Sequence, residues 1–411
     1  MNKSSANSAA SGIQLSAPVR ILAVTHQFPT PLQPTFASYN RQQFAELSRM
    51  HELRVIRPVP WTIAASKWVQ GQWMGRGPFA VGSIEVQYPV FYYSPRFGSH
   101  LYGQFFEASV RGLVERVVER YRPDVILTSW AHPDGWAAAR LAERARLPVV
   151  LKVLGSDVLV LPTGRRKKHV VDALCSAARV IAVSQDLARH VISLGVPAER
   201  VHVVPEGLSA DQFSPGDQDA ARVRLGLPRD GKLILFVGSV LRSKGAADLV
   251  NACALLRDRG LSFFCRIVGH GADEATIEQS IRACGLADRV ACTGVRPHAE
   301  LVDWYRASDV VTLPSYTEGI PNVLREAIAC GKPFVSTRVG GIPEIADPSF
   351  SRLVPAGSVG ELADALAAML EHTPRIDPEV VRRLNISWYH SALLLSRHLE
   401  SAVNSNTRVA Q

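Results

Sequence analysis

The chain has 411 residues, of which 47% are hydrophobic and 20% charged, so it is globular and long enough for two domains with cores of their own. No stretch reaches the roughly 18 apolar residues of a membrane span; the richest, Leu147 to Leu161, is broken by Lys152 and Asp157. The formal net charge of +9 lies wholly in residues 1–215, with 24 Lys and Arg against 15 Asp and Glu, while residues 216–411 hold 22 of each; this points to an acidic partner for the first half alone, an anionic membrane face in preference to nucleic acid, for which no recognisable motif is present.

The opening MNKSSANSAASGIQLSAPVR is small and polar without an apolar core, which predicts a disordered tail over residues 1–18 and not a signal peptide. Val19 to Thr25 reads as a first strand, Tyr39 to Met50 has helical periodicity and Leu53 to Ile56 is a second strand, so the chain opens as a βαβ unit. The loop after the first strand, Pro31-Leu32-Gln33-Pro34-Thr35-Phe36-Ala37, lies where such folds take ligands. Trp61 to Phe106 is unusually aromatic, interleaving Trp61, Trp68, Trp73, Phe79, Phe91, Tyr92, Tyr93, Phe97, Tyr102, Phe105 and Phe106 with Lys67, Arg76, Arg96 and His100. Such a mixture suits a membrane interface or a lipid-linked acceptor, and it suits core packing equally; both readings stand.

Asp124 to Ser129 and Val149 to Val153 read as buried parallel strands. The first feeds Trp130-Ala131-His132-Pro133-Asp134-Gly135 and a helix to Arg146; the second feeds Gly155-Ser156-Asp157. Arg165-Arg166-Lys167-Lys168 is a compact basic run, either a solvated face or a contact for lipid phosphates. After the strand Arg179 to Ser184, the helix Gln185 to Leu194 and the strand Val201 to Pro205, Phe213-Ser214-Pro215-Gly216 punctuates the chain. The linker placed there divides a first domain, 19–215, from a second, 216–385, with a closing helix and tail over 386–411.

The second domain begins with the strand Leu233 to Val237 and the segment GSVLRSKG, Gly238 to Gly245, a glycine turn leading through cations into a helix N-terminus, which is a phosphate cradle on physical grounds. Six cysteines show no C-x-x-C or Cys/His metal spacing and read as small buried residues of a reducing cytoplasm. No D-x-D pair is placed to ligate a divalent cation. The chain is organised around Thr317 to Glu344, TEGIPNVLREAIACGKPFVSTRVGGIPE. It sets Glu318 in a loop, opens a helix with Pro321 and Asn322, and places Glu326 within that helix beside Leu324, Ala327 and Ile328, its buried stripe. A carboxylate so placed can accept from two neighbouring hydroxyls, as a ribose offers.

This block, with Gly331-Lys332-Pro333 and Gly340-Gly341-Ile342-Pro343-Glu344 after it, resembles the family 4 glycosyltransferases, whose signature is E-G-x-P-N…E-A followed by G-x-P-V and G-G-x-P-E. The resemblance covers about residues 19–400, strong in the second half and looser in the first. It implies an α/β fold of the GT-B type, two Rossmann-like domains facing each other across a cleft. In the family, Glu326 anchors the ribose and Glu318 contacts the donor sugar, with Gly319, Ile320, Pro321, Asn322 and Val323 around them. Gly238, Ser239, Gly269, Val295 and Arg296 fall on loops that receive the donor.

Departures also show. The family writes Arg after the first glycine of the cradle, where Ser239 stands, so Arg242 joins the matching Lys244 as the expected cation for the diphosphate. It writes H-G-x-D where Leu154 replaces the histidine; Asp157 is retained and His132 is the expected stand-in, although a lone histidine is more often structural. Glu206-Gly207 stands where the family more often has Asn-Gly, and the first loop lacks its glycines.

The implied activity is metal-independent, retaining transfer of a sugar from a nucleoside-diphosphate sugar to a saccharide or lipid-linked acceptor, with no cofactor. The main task is stabilising charge on the departing diphosphate in a closed cleft. Assembly of exopolysaccharide or lipopolysaccharide at the inner face of the cell membrane fits the basic first domain. A sugar-nucleotide 2-epimerase of the same fold and a catalytically impaired binding protein are the alternatives.

Overall fold

A computed structural model describes residues 17–34, 36–70, 79–95, 98–160 and 164–410. Most of the expected tail, Thr35, Trp73, Arg76, Arg96 and Phe97 lie outside these residues. Each half is built on a parallel sheet. The first contains β1 (Arg20–Val24), β2 (Glu52–Ile56), β4 (Phe79–Val81), β5 (Ile84–Gln87), β7 (Val125–Ser129), β8 (Val149–Val153), β9 (Arg179–Ala182) and β10 (Val201–Val203), while β3 (Val59–Pro60) and β6 (Val90–Phe91) pair separately. Its order is β10-β9-β8-β7-β1-β2-β5-β4, parallel except for the edge hairpin β4–β5. The second contains β11 (Lys232–Val237), β12 (Phe263–Val268), β13 (Val290–Gly294), β14 (Val310–Leu313), β15 (Phe334–Thr337) and β16 (Ser351–Val354), ordered β13-β12-β11-β14-β15-β16 and wholly parallel. Strands covered on both faces by helices need continuous apolar runs, and β7 and β14 are buried at every position.

The exception among the buried strands is Lys152, fully buried in β8. Its ammonium reaches Asn40 Oδ1 at 3.0 Å, Gln43 Oε1 at 2.6 Å and Glu206 Oε1 at 2.9 Å, so the buried charge is compensated and hydrogen-bonded. That pairing gives Glu206 a structural role of its own.

Phe213, assigned to the linker from sequence, is buried in the second core with Leu208, its ring edge-on to Tyr305 at 5.9 Å between centroids. The helix Trp388–Ala410 returns to the first unit and seats Ala392, Leu395, Leu399 and Ala402 against Phe28, Phe44 and Leu47. Gln43 donates to Ser391 Oγ at 2.8 Å across that seam.

The aromatic segment divides. Phe91 and Phe106 are in the core, Tyr93, Tyr102 and Phe105 pack on it, and Trp61, Trp68 and Tyr92 are exposed. The helix Trp61–Val69 buries none of its residues. No helix among the described residues is long and apolar enough to cross a membrane.

Candidate active site

The loops leaving the C-terminal ends of the strands in one sheet meet those of the other. Gly155, after β8, approaches Gly319, after β14, so closely that a Cβ on Gly319 would lie 2.5 Å from the carbonyl oxygen of Leu154. Gly155 itself has φ +126°, a conformation a side chain would strain. One loop further along, the Glu344 carboxylate accepts from the backbone N–H groups of Gln185 at 2.9 Å and Asp186 at 2.8 Å, capping the helix Gln185–Ser193 of the other unit.

Glu318 and Lys244 meet in this cleft. Lys244 Nζ lies 2.7 Å from Glu318 Oε1, and Ser315 Oγ donates to the same oxygen at 2.7 Å. The 3-10 turn Arg242–Lys244 carries the lysine inward, while Arg242 stays exposed and outside that pair. Ser239 is exposed beside it and Gly238 half-buried. Gly269 crosses so near that a Cβ on it would meet Gly238 O at 1.9 Å, and its N–H donates to Gly294 O, which ties the three loops together. Val295 and Arg296 are exposed on the third loop, with the Arg296 guanidinium 5.9 Å from the Trp304 ring.

Glu326 lies in the helix Asn322–Ala329, behind the buried Pro321 and the half-buried Ile320, Asn322 and Val323. Tyr305 donates to Glu326 Oε2 at 2.7 Å, and His298 Nε2 lies 3.1 Å from Oε1. Burial, and then the Glu326 charge, holds the Tyr305 phenol well above its ordinary pKa, so it remains a donor. One oxygen is thus fixed and the other turns toward a half-exposed histidine. The sequence reading missed both partners: Tyr305 sits on the buried side of the helix Leu301–Ala307 like any core aromatic, and His298 lies in a short turn without periodicity.

Two expected catalytic residues take other positions. Asp157 is buried and accepts from Leu154 N at 3.0 Å, Gly155 N at 2.9 Å and Ala131 N at 3.0 Å. Both oxygens are occupied by backbone, so it fastens the β8 loop to the β7 loop and does not present a free carboxylate to the cleft. Burial raises its pKa while those N–H groups oppose the rise. His132 is only 2% exposed and lies one strand over; the wall that meets Gly319 is Leu154 and Gly155. Burial, with Arg166 and His169 adding to it, depresses its pKa to about 3.

A further pair had no sequence signal. His26, at the end of β1, places Nδ1 2.6 Å from Asp134 Oδ1, and the fully buried Asp134 also accepts from Thr25 Oγ1 and His26 N. Among the described residues no group of three or more His, Cys, Asp or Glu is arranged to hold a metal ion.

Two Rossmann-like units with their ligand-binding edges turned toward each other define the GT-B class. The description "Glycosyl transferases group 1" belongs to the family model that matches residues 217–382, and a glycosyl transferase 4-like domain matches residues 36–207. The putative teichuronic acid biosynthesis glycosyltransferase TuaC of Bacillus subtilis is 30% identical over 371 residues, which span 88% of this chain and 92% of that protein. A D-inositol 3-phosphate glycosyltransferase of Mycolicibacterium smegmatis is 35% identical over 239 residues, 56% of this chain and 54% of that one. Anabaena Alr3699/HepE, solved in complex with UDP and glucose, has a TM-score of 0.70 at 20% identity, covering 93% of this chain and 100% of that one. The chain belongs to the family 4 glycosyltransferases of the GT-B fold, and it is a glycosyltransferase by family.

Proposed function

We propose that the protein is a retaining, nucleoside-diphosphate-sugar-dependent and metal-independent transferase that extends a saccharide or lipid-linked acceptor in surface polysaccharide assembly. The observation that carries this reading is the pairing of Lys244 with Glu318 across from Leu154 and Gly155, with Glu326 held by Tyr305 behind them. In this arrangement Glu326 Oε1 takes the ribose. Lys244 exchanges Glu318 for the diphosphate, and Glu318, released from the lysine, accepts from hydroxyls of the donor sugar. The amides at the start of the helix Asn322–Ala329, which has no side-chain cap, add positive potential where charge builds on the leaving group. The acceptor hydroxyl then enters from the first unit on the leaving group's own face. TuaC is named for teichuronic acid biosynthesis, which supports a cell-surface glycan as product. The exposed Trp61, Trp68, Val69 and Tyr92 in a unit of net positive charge support attachment to the inner face of the cell membrane.

The test is transfer from UDP-, GDP-, ADP- and TDP-sugars to a lipid-linked saccharide extract, in chelator and in magnesium. One donor class should be used, with activity equal in chelator and lost in Glu318→Gln. Conversion of a donor to its epimer without acceptor would instead establish the 2-epimerase, and binding with neither transfer nor hydrolysis the impaired binder.

A further inference from the structure

Beside the cleft, three separate segments bring basic side chains together. The turn Ser99–Leu101 carries His100, the turn Ala131–Gly135 carries His132, and both pack on the helix Arg165–Ser176, which carries Arg166 and His169. The His132 and His169 rings stack with centroids 5.7 Å apart, and His169 lies 5.1 Å from the Trp136 ring. Gly103 makes room for that tryptophan, since a Cβ there would fall 2.6 Å from the indole.

Four nitrogens in this cluster are shielded from solvent and make no well-formed hydrogen bond among the described residues: His132 Nδ1 and Nε2, His169 Nδ1 and Arg166 Nε, with the His100 backbone the polar group nearest the His132 ring. Buried nitrogens are normally satisfied, and Arg166 Nε and one nitrogen of each neutral imidazole are N–H donors, so the group left open lacks an acceptor. No carboxylate among the described residues forms an ion pair with His100, His132, Arg166 or His169, although nearby Glu107 is shared by Arg111, Arg140 and Arg144. His100, Arg166 and His169 are half-buried and His132 forms the floor, so the cluster is open on one side. Arg165, Lys167 and Lys168 are exposed on the same helix. The loops that carry His132 and Leu154 leave adjacent strands at the edge where acceptor enters, and Asp157 joins them through Ala131.

We propose that His100, His132, Arg166 and His169 form a phosphate subsite for the acceptor. It would hold the phosphate of a sugar phosphate or the diphosphate of a lipid-linked saccharide, with Arg166 donating its fork of N–H groups and the histidines completing the cage. The proposal rests on the transferase reading for the meaning of its ligand. The phosphate itself can be measured without any donor.

Calorimetric titration of the full chain with methyl phosphate and with dimethyl diphosphate tests it, using wild type, Arg166→Gln, His169→Gln and Lys244→Ala. Binding should weaken by about tenfold or more in both Arg166→Gln and His169→Gln, at unchanged melting temperature, and persist in Lys244→Ala. Tighter binding of the monoester assigns a free sugar phosphate, and of the diphosphate a lipid-linked one. Undiminished binding in Arg166→Gln and His169→Gln, or a loss in Lys244→Ala as large as theirs, overturns the subsite. Failure to bind any nucleoside diphosphate would remove the donor reading while leaving this result intact.

Discussion

At the residue scale, the acidic groups of the cleft differ in what still lies open to them. Glu326 keeps one oxygen on Tyr305 and the other beside His298, so Tyr305→Phe should free the carboxylate to rotate and weaken nucleoside-diphosphate binding by about tenfold, the loss of one charge-assisted hydrogen bond. Calorimetry on the folded variant measures that directly. Asp157 has no free oxygen, and Asp157→Ala should lower unfolding free energy by about 2–4 kcal/mol in urea, because three backbone donors lose their acceptor. A large loss of turnover at unchanged stability would return Asp157 to the reacting centre.

His132 makes a pH prediction. Its folded pKa of about 3 lies below the ordinary 6.5, so between these values the unfolded chain binds a proton that the native one does not. Its contribution to stability therefore falls as pH drops from about 6.5 toward 3, by roughly 1.4 kcal/mol per unit over most of that window. Melting curves at pH 4–7 should show a shallower acid decline in His132→Gln than in wild type.

Glu318 and Glu326 drew attention because a long motif carries them, and Lys244 because a glycine turn leads through it into a helix; the structure brings Lys244 and Glu318 together. Tyr305, His298 and the His26–Asp134 pair were not legible, since a partner supplied from another strand leaves no mark in the spacing of either residue.

At the scale of elements, most strands were readable to within a residue or two because both sheets bury continuous apolar runs. The expected helix Tyr39 to Met50 ends at Leu47, where Ser48 to Met50 close it as turns. The aromatic segment could not be divided in advance, because the core and an amphipathic surface draw on the same side chains. Nor was the second role of Glu344 readable. It ends the glycine motif of one unit and caps a helix of the other, a contact made across the cleft. Removing it should cost about 1 kcal/mol of closure. Glu344→Ala should then raise the radius of gyration in small-angle scattering without lowering the melting temperature of either unit. An unchanged radius would mean that the neighbouring glycine contacts hold the cleft unaided.

For the molecule as a whole, two Rossmann-like units facing each other and a closing helix followed from the resemblance, whereas the order of the strands and the closeness of the two units did not. That closeness depends on absent side chains: Gly155 facing Gly319, and Gly341 placed so that a Cβ would lie 2.9 Å from Ser184 Cβ. The helix Trp388–Ala410 joins the units covalently and buries Leu395 completely, so Leu395→Ala should destabilise the first unit by about 2–4 kcal/mol in urea. The central claim is a donor cleft that grips a nucleoside diphosphate through Glu326 and Lys244 without metal. Thermal-shift titration with UDP, GDP, ADP and TDP, in chelator and again in magnesium, tests it most directly. One of the four should raise the melting temperature equally in both conditions, and the shift should vanish in Glu326→Ala. No shift with any of them, or a shift that survives in Glu326→Ala, would contradict it.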